Sequence, residues 1–342
     1  AAAFFVLINV INLTNVKVFG EAEFWFAIIK VVAIIGMIAL GSYLLTSGSG
    51  GPQASVSNLW SHGGFFPHGV TGLLMAMAFI MFSFGGLEML GFTAAEADKP
   101  RTVIPKAINQ VIYRILIFYI GALVVLLSLT PWDSLLETLN AGGDSYSSSP
   151  FVQVFSMLGS NTAANILNFV VLTAALSVYN SGTYCNSRML LGMAQQGDAP
   201  KALAKIDKRG VPVNAILASA AVTVIAVLLN YWMPHDALEL LMSLVVATLV
   251  INWAMISYSH FKFRQHMNKT AQTPLFKALW YPYGNYICLA FVAFILVIML
   301  LIPGIRISVF AMPIWVAFMG LCYWLKPKRV EQASAEVYSP AK

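Results

Sequence analysis

Two glycines and a carboxylate interrupt one long apolar segment of the sequence. Gly85, Gly86 and Glu88 lie inside the apolar block 69–95. A glycine weakens a helix by about 1 kcal/mol, and a carboxylate at the centre of a bilayer costs about 2.5–3.5 kcal/mol on insertion scales. Transporters use such breaks because an unwound turn frees carbonyl groups for a ligand. The motif therefore predicts a ligand-binding helix break, and a glycine-mediated helix contact with a hydrogen-bonded Glu88 is the alternative.

A single lysine, Lys30, lies inside the apolar block 25–46 and could take part in chemistry. Every neighbour of Lys30 between Phe24 and Leu40 is apolar or glycine. An amine at this depth that gains and releases a proton could couple protons to transport, whereas a lysine near a helix end can also extend to the lipid headgroups. We expect Lys30 to face the polar residues 181–187. The acidic and basic residues just before it (Lys17, Glu21 and Glu23) are expected in a solvated loop.

A polar patch interrupts the block 162–193. Its residues 179–184 read Tyr-Asn-Ser-Gly-Thr-Tyr. Small polar residues commonly join membrane helices, but Ser181 and Gly182 could also leave room in a pocket for a bulky ligand. Ser243 in the block 237–260 is a weaker candidate for the same pocket.

These residues require membrane helices to position them. The chain is 59% hydrophobic and 10% charged, whereas soluble domains carry roughly 25% charged residues. Its apolar residues form blocks of about 20, the length that crosses a bilayer as a helix. The pattern predicts an all-α polytopic membrane protein with nine blocks: 1–16, 25–46, 69–95, 108–130, 162–193, 212–233, 237–260, 284–303 and 306–325.

Basic residues alternate between the loops. The net charge is +6, and lysine and arginine concentrate in 98–106, 188–210, 261–283 and the tail. Loops 47–68 and 131–161 contain neither, and Arg306 is the exception to the alternation. The positive-inside rule places the basic loops and the C-terminus in the cytoplasm. This distribution indicates membrane topology rather than a nucleic-acid partner.

The sequence contains no motif for disulfide formation, zinc binding or nucleotide binding. The three cysteines have no CxxC spacing, so neither a disulfide framework nor a zinc site is predicted. The five histidines lie in loops or at the ends of blocks, and no P-loop is present. We expect no enzyme activity, no metal and no cofactor.

Two long stretches resemble the amino acid–polyamine–organocation superfamily of transporters. They are FSFGGLEMLGFTAAEADKPRTVIPKAINQVIYRIL at 82–116 and LTAALSVYNSGTYCNSRMLLGMAQQGDAPKALAKIDKRGVPVNAIL at 172–217. Shorter stretches at 20–34 and 245–260 match as well. In sequence, these stretches are most similar to the bacterial amino acid permeases that transport aromatic amino acids.

The resemblance implies the leucine-transporter-like inverted-repeat fold. Family members have twelve helices, and the nine blocks correspond to helices four to twelve. We therefore expect an N-terminally truncated permease domain over 1–326, without the first three helices, and a cytoplasmic tail over 327–342. Half of the family's ligand cradle would then be missing, and the chain as given would not transport.

The resemblance also implies the function and the residues of the site. We expect a proton symporter of the bacterial inner membrane that imports phenylalanine, tyrosine and tryptophan. The alternatives are a permease for another neutral amino acid and an amino-acid-binding transceptor or non-transporting fragment. Lys30 and Glu88 are assigned to proton coupling or gating, although Glu88 could be purely structural. The substrate-binding set is Phe82, Ser83, Phe84, Gly85, Gly86, Ser181, Gly182 and Ser243. For Phe82 and Phe84 the alternative is ordinary packing in a membrane helix.

Overall fold

The computed structural model describes residues 2–93, 99–140, 161–233, 237–270, 274, 278, 280–303 and 305–325. Within these ranges every regular element is helical, because a backbone in lipid must satisfy its polar groups within its own segment. The tail 327–342 lies outside the described residues, so its cytoplasmic assignment stays a prediction.

The chain forms two compact units, and the first extends to Cys185. A π-helical segment, Ile115–Gly121, joins two of its α-helices into one continuous span. The α-helices are α1 (Ala2–Thr14), α2 (Val16–Ser47), α3 (Asn58–Ser61), α4 (Gly69–Ser83), α5 (Met89–Thr93), α6 (Pro100–Arg114), α7 (Ala122–Leu129), α8 (Trp132–Asn140) and α9 (Asn161–Gln196), which continues past Cys185.

The second unit contains the rest of α9 and four further α-helices. These are α10 (Val213–Trp232), α11 (Ala237–Lys269), α12 (Tyr283–Leu301) and α13 (Arg306–Leu325). α11, α12 and α13 all contact one another. Buried polar side chains join them, since Ser308 Oγ donates to Ser243 Oγ at 2.6 Å. Asn285 Nδ2 likewise donates to the Ser257 carbonyl at 2.7 Å.

Helical structure occurs in every predicted apolar block. Among the described residues, six helices are long and apolar enough to cross a membrane. They are Val16–Ser47, Arg101–Leu129, Val213–Trp232, Leu240–Lys269, Tyr283–Leu301 and Arg306–Leu325. Ala2–Thr14 and Gly69–Ser83 are shorter apolar helices, and the latter is short because its block is broken.

The apolar core of the first unit lies where α2 packs against α7. Met37 and Leu129 are fully buried in this cluster. Gly41 lets the helices approach closely, since a Cβ at this position would overlap Val125 Cγ1 and lie 3.1 Å from Leu129 Cδ1. Small residues at such contacts allow close packing of membrane helices.

A polar contact joins the residue that follows α3 to the start of α8. His62 Nδ1 lies 2.8 Å from Asp133 Oδ2, and Trp132 Nε1 donates to the His62 carbonyl at 3.0 Å. The hydrogen bond from His62 holds the pKa of the Asp133 carboxyl below its ordinary value of 3.8. Above that value the carboxylate form is present and accepts the bond.

We expect Gly41→Ala to lower the melting temperature of the detergent-solubilised protein. The added methyl group overpacks the contact with Val125, and overpacking costs about 1–3 kcal/mol. The matched control is Gly36→Ala on the same helix, where a Cβ would meet nothing within 4 Å. Gly36→Ala should leave the melting temperature unchanged or raise it. Equal effects of the two substitutions would contradict the packing argument.

The contact between His62 and Asp133 should loosen in acid. Because the folded pKa of Asp133 is depressed, its stabilisation is complete above pH 3.8 and is lost as the pH falls through the lower folded value. The ¹⁹F resonance of 5-fluorotryptophan at position 132, assigned with Trp132→Phe, should move in that range. Asp133→Asn should abolish the acid transition, whereas Glu137→Gln on the same helix should keep it. A transition that survives in Asp133→Asn belongs to another group.

Candidate functional site

The apolar block 69–95 is broken where its glycines stand. α4 ends at Ser83, residues 84–88 form turns, and α5 begins at Met89. Gly86 has φ +98°, a left-handed conformation that costs other residues about 1–2 kcal/mol. Its amide donates to Glu88 Oε2 at 3.2 Å, so this carboxylate helps to close the turn. The predicted helix break is confirmed.

A cavity of about 910 Å³ opens beside this break, within the first unit. Its size falls in the range of small-molecule sites, about 300–1,000 Å³. The break contributes to its wall together with α2, α9 and the span that contains the π-helical segment. The residues of this wall that the sequence singled out are Lys30, Ser83, Phe84, Gly85, Gly86 and Ser181.

The other candidates are not among the described residues of this wall. Phe82 is 41% exposed, and a Cβ on Gly182 would meet nothing within 4 Å. Glu88 accepts from the Gly86 amide. Ser243 belongs to the second unit, where it donates to the Leu240 carbonyl and accepts from Ser308. The binding and gating roles of these four residues stay predictions.

A tyrosine that the sequence did not single out contacts the break from another helical span. Tyr119 lies in the π-helical segment, and its hydroxyl donates to the Ser83 carbonyl at 2.6 Å. Its ring stacks on Phe84 with centroids 5.5 Å apart and planes 8° from parallel. The hydrogen bond joins residues 36 positions apart along the chain, so local sequence patterns did not indicate it.

An ion pair forms the polar end of the cavity wall. Glu23 Oε1 and Lys30 Nζ lie 4.0 Å apart, and both contact Ser177 of α9. Ser177 Oγ donates to Glu23 at 2.5 Å, and Lys30 donates to Ser177 Oγ at 2.7 Å. Lys30 thus contacts α9 one turn before the predicted residues 181–187.

The expectation that Lys17, Glu21 and Glu23 lie in a solvated loop is wrong, because all three belong to α2. α2 begins at Val16, with Asn15 as its N-cap, so Glu23 lies two turns inside the helix. A spacing of seven residues places Glu23 and Lys30 on the same face. Asn15 could have indicated this helix start from the sequence, because asparagine is a preferred N-cap residue. In the structure its side chain accepts from the Val18 amide.

The carboxylate of Glu23 sets the orientation of two buried amides. Asn180 Nδ2 donates to Glu23 Oε2 at 3.1 Å, and Asn12 Nδ2 donates to Asn180 Oδ1 at 2.9 Å. A carboxylate only accepts, so Asn180 turns its NH₂ group toward Glu23. The Oδ1 atom of Asn180 then faces Asn12, which turns its own NH₂ group toward it. Among the described residues, the buried Oδ1 atom of Asn12 has no hydrogen-bond partner. The amide of Asn12 is also oriented by its own helix, since Nδ2 donates to the Ile8 carbonyl at 3.0 Å.

The cavity wall offers several kinds of contact to a small molecule. The end of α4 presents the carbonyl of Ser83, and Glu23 supplies a carboxylate. Lys30 and Arg114 supply cations, while Phe118 and neighbouring leucines supply apolar surface. The arrangement can bind a compact molecule that carries a hydrogen-bond donor, an acceptor and an apolar part.

Comparison with known proteins identifies the family to which this chain is related. The sequence profile of the amino acid permease family matches residues 1–333. The chain is 62% identical to the aromatic amino acid transport protein AroP of Escherichia coli O6:H1, over 98% of this chain and 72% of that protein. AroP of Salmonella typhimurium LT2 is 61% identical over 98% of this chain and 71% of its own length. The uncharacterized transporter YdgF of Bacillus subtilis is 42% identical over 93% of this chain and 68% of its length.

These matches confirm the family resemblance that the residues indicated. Together with six apolar helices, they make this a multi-pass membrane protein and a transporter rather than an enzyme. The chain belongs to the amino acid permease family.

Proposed function

We propose that this protein imports aromatic amino acids across the bacterial inner membrane by proton symport. The observation that carries the proposal is the helix break at Gly86, which lines a cavity of about 910 Å³ together with Lys30. The names of the AroP relatives support an aromatic substrate. High identity along nearly the whole chain supports a shared substrate class.

In this proposal the break binds the polar end of the substrate. The Ser83 carbonyl at the end of α4 accepts from the α-ammonium group, and the partial negative charge of a helix C-terminus favours a cation there. The substrate carboxylate lies toward Arg114, which also belongs to the cavity wall. Phe82 caps the aromatic side chain, and the small residues Ser181 and Gly182 leave room for it.

Proton coupling is assigned to Lys30, with Glu88 in gating. Lys30 lies at the cavity wall, its side chain is 30% exposed, and Ser177 holds its ammonium group. Glu23, at 4.0 Å, compensates the positive charge. A change in water access during the transport cycle would change how readily Lys30 gains or releases its proton. Protonation and substrate binding would thereby become linked.

The proposed topology follows the distribution of basic residues. The membrane domain covers residues 1–326, and the basic loops and the tail 327–342 face the cytoplasm. Cysteine labelling of single-cysteine variants with a membrane-impermeant maleimide can assign each loop to one side.

Uptake of radiolabelled phenylalanine should identify the substrate class. We expect cells that express the complete reading frame to take up phenylalanine, and unlabelled tyrosine and tryptophan to compete in the same concentration range. Alanine, leucine and lysine should compete poorly, because they leave the aromatic part of the pocket unfilled or add an unpaired charge. Equal competition by leucine would favour a broader neutral amino acid permease. Saturable phenylalanine binding without uptake would favour a transceptor.

Two glycine substitutions connect this uptake to the helix break. Gly86→Ala forces a Cβ into a left-handed conformation at φ +98°, and we expect it to reduce uptake on the order of tenfold or more, given a strain of about 1–3 kcal/mol. Gly91→Ala in α5 is the matched control, since a Cβ there meets nothing within 4 Å. Uptake that survives in Gly86→Ala at wild-type rates would remove the break from the mechanism.

Substitution of Lys30 should separate coupling from binding. We expect Lys30→Ala to abolish accumulation of phenylalanine against a gradient in proteoliposomes while some binding in detergent remains. Lys30→Arg should also lose accumulation, because a guanidinium keeps its charge and does not release a proton.

Lys17→Ala is the matched control, because Lys17 is exposed on the same helix. It should accumulate phenylalanine as the wild-type protein does. If Lys30→Ala still concentrates phenylalanine in a pH-dependent way, the proton is coupled at another residue.

A further inference from the structure

The carbonyl of Ser83 has an unusual partner. It lies in the last turn of α4, where a helix leaves its carbonyl groups without amide partners further along the chain. The hydroxyl of Tyr119 donates to this carbonyl at 2.6 Å. The donor therefore comes from a side chain on another span, at the position where the proposed function places the α-ammonium group of the substrate.

The position of Tyr119 depends on an irregular backbone. The residues Ile115–Gly121 form a π-helical segment in the middle of the span Arg101–Leu129. Such segments shift the register of the side chains and occur frequently at functional sites. Stacking on Phe84, with planes 8° from parallel, holds the phenol beside the turn. Tyr119 remains 39% exposed, and both Tyr119 and Ser83 line the cavity.

We propose that Tyr119 sets the affinity for the substrate amino group, because its hydroxyl donates to the Ser83 carbonyl and must give up this bond when the ammonium group of an amino acid replaces it. This inference rests on the proposed function. An ammonium group makes a charge-assisted hydrogen bond, which is roughly twice as strong as the neutral bond of a phenol. A ligand with an amino group can therefore displace the hydroxyl, and a ligand without one cannot. The lost phenol bond weakens the binding of amino acids, whereas deaminated acids leave that bond in place and bind with the same affinity whether or not the hydroxyl is present.

Tyr119→Phe tests this exchange, because it removes the hydroxyl and keeps the ring that stacks on Phe84. The probes are tritiated phenylalanine, bound to detergent-solubilised protein in a scintillation proximity assay, and 3-phenylpropionate as a competitor without the amino group. We expect Tyr119→Phe to bind phenylalanine about threefold to tenfold more tightly, the effect of one net hydrogen bond. The affinity for 3-phenylpropionate should not change.

Tyr113→Phe is the matched control, since Tyr113 is 67% exposed on α6, in the same span. It should leave both affinities unchanged. Equal shifts for both ligands in Tyr119→Phe would mean that the substitution alters the cavity rather than the exchange, and would overturn the inference. Unchanged or weaker phenylalanine binding would also overturn it.

The wild-type measurement separates the two proposals. If the wild-type protein does not bind phenylalanine, the proposed function fails, and this inference fails with it. If the wild-type protein binds phenylalanine and Tyr119→Phe binds it no more tightly, only the exchange fails.

Discussion

The ion pair between Glu23 and Lys30 is the constraint around which the first unit is arranged. A charged side chain in the middle of a membrane helix costs several kcal/mol unless it is paired and hydrogen-bonded. Ser177 bridges the two charges, and Asn180 binds the second oxygen of the carboxylate. Because both partners lie on α9, these bonds hold α9 to α2. The amide of Asn12 extends the network to α1, so one carboxylate orders three helices.

The charges are tolerable only beside the cavity, and the same holds for the irregular backbone. Helix breaks in lipid leave polar groups unsatisfied, so they occur where protein or a cavity satisfies them. Here the break after Ser83 is in contact with the π-helical segment Ile115–Gly121. The break exposes a carbonyl, and the π-helical segment supplies a hydroxyl. This hydrogen bond and the stacking of Tyr119 on Phe84 join the two irregular segments.

The sequence predicted the features that depend on local patterns. Block length and apolar composition located the helices, and the glycine pair beside Glu88 located the break. Contacts between distant residues were not predictable, because no periodicity relates Lys30 to Ser177, which lie 147 positions apart. Glu23 was misassigned for a different reason: the apolar block starts at 25, whereas the helix starts at Val16. Hydrophobicity marks the membrane core of a helix and not its capped end.

Binding through the backbone has a consequence for coupling. If the substrate ammonium group is held by the carbonyl of Ser83 and the dipole of α4, its binding consumes none of the charged side chains in the wall. Glu23 and Lys30 then keep their mutual compensation whether the cavity holds substrate or not. Lys30 remains free to respond to changes in water access rather than to the charge of the ligand. In such an arrangement protonation and amino acid binding would be coupled through the shape of the cavity. This division of roles requires the helix break and the ion pair to share one wall, as they do here.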